Sequence, residues 1–405
     1  MQVLTVFTLA LLVFQAIAGG PGSSSTGFGN FEILGPYDLD KNERSFSWVH
    51  THNVLFVDNP VGTGYSYVDN YKFLTKDNKQ IALDLVELLR GFYEACPEFV
   101  TVPLHIFGES YGGKMGVEFA HELNRQIDEG LINSTLITVA MGDAWISPID
   151  STLSWAPYLL QLGFIDIDGH DKIHNFALRT KRALDAGQFF QSTDLWYQTE
   201  IVLLRESHGV DFYNVLFDIG YRSSEFDAKR FDNFNPRTTA YDMLVKRKRL
   251  SVDDDNEDED EEDKLTKLMR GEVQQALGLN ETVKWGSQSG AVFDTLAGDF
   301  MKPVVDIVAE LLTNSTVKVV VYSGQLDLIC ATPGTVQWIH NMNWYGSDEY
   351  KMASRDGIGV NNVLEGYQRH FDNFSMYWIN NAGHMAPFDN PRAMGYVLRK
   401  VTNFG

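Results

Sequence analysis

The stretch LHIFGESYGGKMG (residues 104–116) limits what this chain can fold into more than any other. Leu104 to Gly108 is a short apolar, strand-like run, and helical spacing begins at Gly113 and continues to Ile127. The link, Gly108-Glu109-Ser110-Tyr111-Gly112, has the spacing G-x-S-x-G. Its small residues allow a sharp strand-to-helix turn that lifts the Ser110 hydroxyl above a sheet, at a helix N-terminus whose partial positive charge favours an anion. A glycine-rich turn of this kind can also be purely structural, so any chemistry depends on what the rest of the chain brings to it.

The same alternation recurs along the chain. Asn53 to Asp58 (NVLFVD) reads as a buried strand, and Ile81, Leu85, Leu88, Leu89, Phe92 and Cys96 recur at helical spacing as far as Pro97. LITVAM (residues 136–141), VKVVVY (317–322) and SMYWI (375–379) are further strands, the last two each followed by a helical segment. Such alternation predicts a mostly parallel sheet covered by helices. From Asp150 to about Phe300 the pattern turns helical, polar and irregular, as in a cap built over the sheet.

Chain order then supplies partners for Ser110. Asp327 follows the VKVVVY strand and His384 follows SMYWI, so Ser, acid and His come in sequence from successive strand ends. In this arrangement His384 takes the Ser110 proton and returns it to the leaving group, while Asp327 holds the imidazole tautomer.

With these residues go GGPGSSSTGFGNFEILGP (19–36), FVDNPVGTGYSYV (56–68), IFGESYGGKM (106–115), GDAWISP (142–148), VYSGQLDLIC (321–330) and NNAGHMAPFDNP (380–391). Through these six motifs in register, the chain resembles the serine carboxypeptidases of the α/β-hydrolase superfamily from Gly19 onward. The resemblance implies an α/β-hydrolase fold with a helical cap and an enzyme that removes C-terminal residues from peptides through an acyl-enzyme at acidic pH. It implies catalytic Ser110, Asp327 and His384, with the backbone N–H groups of Gly20 and Tyr111 as the oxyanion hole. Glu109 and Glu32 stand where the family binds the substrate's C-terminal carboxylate, which requires protonated carboxyl groups, favoured by burial and like charge. No cofactor is implied. No metal is expected either, since the sequence has no HExxH and His50-Thr51-His52 lacks further ligands nearby.

Two other functions use the same residues. One is an esterase or acyltransferase on this scaffold. The other is a secreted binding protein whose triad persists without a working oxyanion hole.

The opening segment has two readings. Val3 to Phe14 is an apolar run and Ala16-Ile17-Ala18 a small-x-small pattern, together predicting a signal peptide over residues 1–18. Sequons at Asn133, Asn280, Asn314 and Asn373 agree with a secretory route, to secretion or the lysosome. Family members carry opening strands before the GGPG motif, ending in an amide residue; here those strands are missing and Ala18 occupies the amide's place. In the alternative reading, residues 11–18 stay attached and substitute for a lost strand.

The remaining expectations come from composition. The net charge of -21 opposes nucleic acid as a partner. No second apolar run could span a bilayer, so no stable membrane association is expected. Cys96 and Cys330 are either one disulfide or two free thiols. Residues 253–263 (DDDNEDEDEED) follow the basic run 246–249, making 246–263 a disordered excursion, either a surface insertion or a processing site. The predicted organisation is thus 1–18 signal, 19–149 and 301–405 core, and 150–300 cap.

Overall fold

The computed structural model describes the backbone of residues 12–16 and the residues 20–218 and 263–403. The charged excursion over 246–263 lies outside the described residues except for Asp263, as does most of the segment 1–18.

Eight strands form one sheet: β1 (Leu12–Ala16), β2 (Asn53–Phe56), β3 (Pro103–Glu109), β4 (Thr135–Gly142), β5 (Lys318–Gly324), β6 (Asp356–Val360), β7 (Val363–Phe371) and β8 (Phe374–Ile379). Their order is β2-β1-β3-β4-β5-β8-β7-β6; pairing is parallel from β2 to β8 and antiparallel for the β8-β7-β6 meander. Strands β3, β4 and β5 read as near-continuous apolar runs because helices cover the sheet. The meander's β6 and β7 were not foreseen, since DGIGV and VLEGYQRHF are half-exposed and carry weak alternation.

Helix α1 (Asn78–Ala95) begins where the Asp77 carboxylate accepts the Gln80 N–H at 2.9 Å, and it ends just before Pro97. Ile81, Leu85, Leu89 and Tyr93 form its buried stripe, whereas Leu88 is exposed. Helix α2 (Tyr111–Asp128) packs on β3, β4 and α1. Between β4 and β5 come α3 (Pro148–Leu162), α4 (Ile167–Asp185), α5 (Phe189–Glu206), α6 (Gly290–Phe300) and α7 (Val305–Asn314). The α3–α4–α5 series packs helix on helix, with α6 against α5. Helices α8 (Thr332–Asn341) and α9 (Pro391–Thr402) follow β5 and β8.

Strand β1 bears directly on the two readings of the opening segment. It pairs in register with β2 on one side and β3 on the other, Ala16 opposite Gly108. Leu12–Ala16 therefore occupies the interior position that the strand-substitute reading requires. In this fold, cutting after Ala18 would remove an interior strand, not a tail.

Both cysteines are free thiols, Cys96 half-buried and Cys330 buried. No described helix is long and apolar enough to cross a membrane.

Candidate active site

The site lies at the C-terminal ends of adjacent parallel strands. The register sets Gly108 beside Met141, Gly142 beside Tyr322 and Gly324 beside Ile379, so the residues after β3, β4, β5 and β8 converge along one edge.

Ser110 has φ 62°, a conformation that L-residues other than Asn and Asp seldom adopt, and it is 8% exposed. Close packing sustains the turn. A Cβ on Gly108 would meet Gly112 O at 2.2 Å, and one on Gly113 would meet the Ala144 Cβ at 2.4 Å. The Ser110 N–H donates to Gly142 O at 2.9 Å, and Ser110 O accepts from Trp145 N–H at 2.9 Å. The segment after β4 thus fastens both backbone groups of the residue.

His384 is buried, and its Nδ1 lies 2.9 Å from Asp327 Oδ2. Its N–H donates to Tyr213 O at 2.7 Å, and the Tyr213 ring packs edge-on at 5.0 Å. Burial pushes the imidazole down to about 3, so it is held neutral. Nε2 is buried without a hydrogen-bond partner. Asp327 Oδ1 accepts the Cys330 N–H at 3.1 Å. One side-chain N, O or S atom from each of Asp327, Cys330 and His384 lies within 4.8 Å of the others.

Glu109 is 1% exposed, with Oε1 unpartnered. Burial raises its carboxyl well above the usual range, and the charges of Asp143, Asp327 and Asp389 push it further. Glu32 is also buried, on the wide π-helical turn Ser25–Leu34, where its charge acts on Arg44. The Arg44 guanidinium donates to the carbonyls of Asn30, Phe31, Gly35 and Tyr37, closing the end of that turn.

Gly20 leads a loop anchored on its downstream side. Ser24 Oγ and Thr26 Oγ1 donate to Asp58 at 2.7 and 2.6 Å, Ser289 N–H donates to Gly22 O at 2.9 Å, and Gln288 Nε2 to Pro21 O at 2.7 Å. Tyr111, whose N–H is the other expected oxyanion donor, has its ring stacked on Phe300 at 5.7 Å and its hydroxyl donating to Asp299 at 3.2 Å. Of the sequon residues, Asn133, Asn280 and Asn314 are exposed. Asn373 is half-buried, its Nδ2 donating to Leu312 O, Ser315 O and Val317 O.

Sequence reasoning missed three groups. Tyr213 comes from a segment sewn to the Asp327 loop by Leu328 N–H and Ile329 N–H donating to Phe212 O. Lys114 is fully buried and donates to Asp299 O at 2.6 Å and Oδ2 at 3.0 Å. Asp143 is fully buried beside Asp327. A usable signal existed for Asp143 alone, because GDAWISP begins where β4 ends, at the edge where such sheets carry their sites.

Residues 17–403 match the family model described as serine carboxypeptidase. The chain is 37% identical over 390 residues to the retinoid-inducible serine carboxypeptidase of Rattus norvegicus, covering 95% of this chain and 83% of that one. It is 35% identical over 392 residues to serine carboxypeptidase-like 51 of Arabidopsis thaliana, covering 95% and 84%. Among solved structures it resembles a prohormone-processing carboxypeptidase from Saccharomyces cerevisiae, with TM-score 0.77, 21% identity and coverage of 97% and 83%. The fold is thus that of the α/β-hydrolases. The chain belongs to the serine carboxypeptidase family, and its class is that of a serine-type carboxypeptidase, a hydrolase.

Proposed function

We propose that this protein releases C-terminal residues from peptides through an acyl-enzyme on Ser110, with His384 as general base and Asp327 as its orienting acid. The observation that carries this is the state of His384: one ring nitrogen is fixed by Asp327, and the other is buried and unpartnered on an imidazole that burial keeps neutral. Ser110 Oγ attacks the scissile carbonyl carbon while its proton passes to Nε2. The oxyanion is held by the N–H groups of Gly20 and Tyr111. Collapse breaks the C–N bond, His384 protonates the departing amine, and water then hydrolyses the ester by the same route.

The C-terminal carboxylate of the peptide is bound by protonated Glu109 with Glu32 as its companion. Rising pH strips the Glu109 proton and turns a donor into a repelling anion, so peptidase activity is greatest in mildly acidic solution. The four sequons support passage through the secretory pathway, to secretion or the lysosome, with glycans at Asn133, Asn280 and Asn314. The inward-turned amide of Asn373 makes it the least favourable of the four acceptors.

An active-site phosphonylating reagent tests the nucleophile: label is expected on Ser110 and none on Ser110→Ala. That variant should lose on the order of 10⁶-fold in kcat, the scale set by removing a triad serine. A peptide compared with its C-terminal amide tests the specificity. Equal rates on the two would replace this reading with the esterase or acyltransferase, and absence of label would leave only a binding protein.

A further inference from the structure

The residue after β4 has an unusual setting. Asp143 has φ 42°, and its N–H donates to Tyr322 O at 2.8 Å. This turns its side chain inward, where Oδ1 accepts the Gly324 N–H at 2.6 Å. It is 0% exposed, as is Asp327. The two carboxyl groups are close enough to act directly on each other. Two ionised carboxylates so placed repel, and ionised oxygens only accept, so one proton on the pair removes the repulsion and lets one acid donate to the other.

The remaining donors decide which acid carries it. Asp327 accepts from His384 Nδ1 and from the Cys330 N–H, two contacts that favour its ionised form. Asp143 accepts from Gly324, and its Oδ2 is buried with no donor. The charges acting on Asp143 are carboxylates, Asp327 first and then Asp389. Around the pair stand Glu109, Asp211, the Cys330 thiol, the Tyr322 hydroxyl and His384. Burial and these like charges raise Asp143 well above the ordinary carboxyl range.

We propose that Asp143 is a positioning acid: its carboxylic O–H donates to Asp327 and holds that carboxylate against His384 Nδ1, so that Nε2 stays the proton acceptor. This rests on the triad reading above. Asp143 does not touch the reacting atoms; it acts through Asp327. An Asn at this position keeps a donor for Asp327 and an acceptor for Gly324, tolerates the positive φ, and has no proton to lose.

The test uses the full chain with Asp143→Asn and Asp143→Leu, and reads the rate of Ser110 phosphorylation by diisopropyl fluorophosphate, with loss of fluoride, from pH 5 to pH 9. This reagent has no carboxylate, so the Glu109 clamp does not enter. Asp143→Asn is expected to keep the parent rate within about threefold in mildly acidic solution and to hold it about one pH unit further into the alkaline range. Asp143→Leu should fall by about 10²-fold, the scale of a misplaced catalytic group. Infrared difference spectra between parent and Asp143→Asn at neutral pH read the proton directly and apply even if Asp143→Leu fails to fold. Loss of one protonated-carboxyl band is expected. Loss of a carboxylate band, or superimposable pH–rate profiles for parent and Asp143→Asn, would overturn the proposal. If the parent takes no label, the triad reading fails and the infrared band alone decides whether Asp143 carries the shared proton.

Discussion

Two buried charge clusters flank the Ser110 turn, and they are neutralised differently. On the α2 side, Lys114 meets Asp299 at 3.0 Å, with side chains 1% and 8% exposed, and the Tyr111 hydroxyl joins them. Burial pulls the Lys114 ammonium down and the Asp299 carboxylate pulls it back up. On the strand-end side, every charge acting on Glu109 is another carboxylate: Asp143, Asp327 and Asp389. One cluster is compensated by an opposite charge and the other, in the proposals above, by bound protons. Response to pH should therefore come from the carboxyl side, while the ion pair ties α6 to the turn at any working pH.

The largest effect expected from breaking this contrast is at Lys114. Lys114→Met leaves Asp299 buried without its close cation, which should cost about 3–5 kcal/mol of stability. The loss, read from the denaturant midpoint, should be the same at pH 5 and pH 8. Replacing both partners, as Lys114→Met with Asp299→Leu, should recover more than half of it, because two apolar side chains carry no desolvation penalty. A loss that varied steeply with pH would mean that this side, too, is held by protons.

The next effect is the pH dependence contributed by Glu109. Its folded-state carboxyl titrates above the unfolded value, so the folded chain keeps a proton that the unfolded chain has released. Its contribution is therefore complete below the unfolded value of about 4.3 and is lost as pH rises toward the folded one. Buried histidines act in the opposite sense. His52 is pushed down to about 4, and His105 and His384 to about 3, by burial, so these cost stability as pH falls below about 6.5. Measurements above pH 6.5 isolate the carboxyls. There Glu109→Gln should flatten the fall in denaturant midpoint and in peptide hydrolysis, whose limiting slope for one lost proton is about tenfold per pH unit. Parallel slopes for variant and parent would remove Glu109 from the account of the acidic optimum.

The contrast also explains what could be read from the chain. The Ser110 turn, the order Ser110, Asp327, His384 and the parallel strands are local patterns, each a short apolar run with its turn, and they stand out in the sequence. The Lys114–Asp299 pair spans 185 positions with no periodicity to announce it. Asp143 lay in a recognised motif, but its neighbour Asp327 is brought to it only by the β4–β5 pairing. Strand β1 was ambiguous for a physical reason: the apolar run that suits a targeting segment also suits an interior strand. Expressing the chain from Gly19 onward would measure that strand. Poor folded yield and slow Ser110 labelling are expected, and values equal to the full chain would make β1 dispensable.

The smallest effect sharpens the comparison most, because it uses the same acid with a different cation. Lys302 Nζ lies 3.5 Å from Asp299 Oδ1, and its side chain is 39% exposed. It also sits 4.8 Å from the centre of the Phe189 ring. Water and salt screen a pair so placed, and holding a long side chain in one geometry costs entropy, so Lys302→Ala should destabilise by no more than about 1 kcal/mol. Added salt should shrink even that difference, while the Lys114→Met loss persists, because the Debye length governs exposed charges far more than buried ones. Ser110 labelling should be unchanged, since Tyr111 and Lys114 still hold Asp299. If Lys302→Ala costs as much as Lys114→Met, burial is not what separates the two lysines, and Asp299 takes its compensation from both equally.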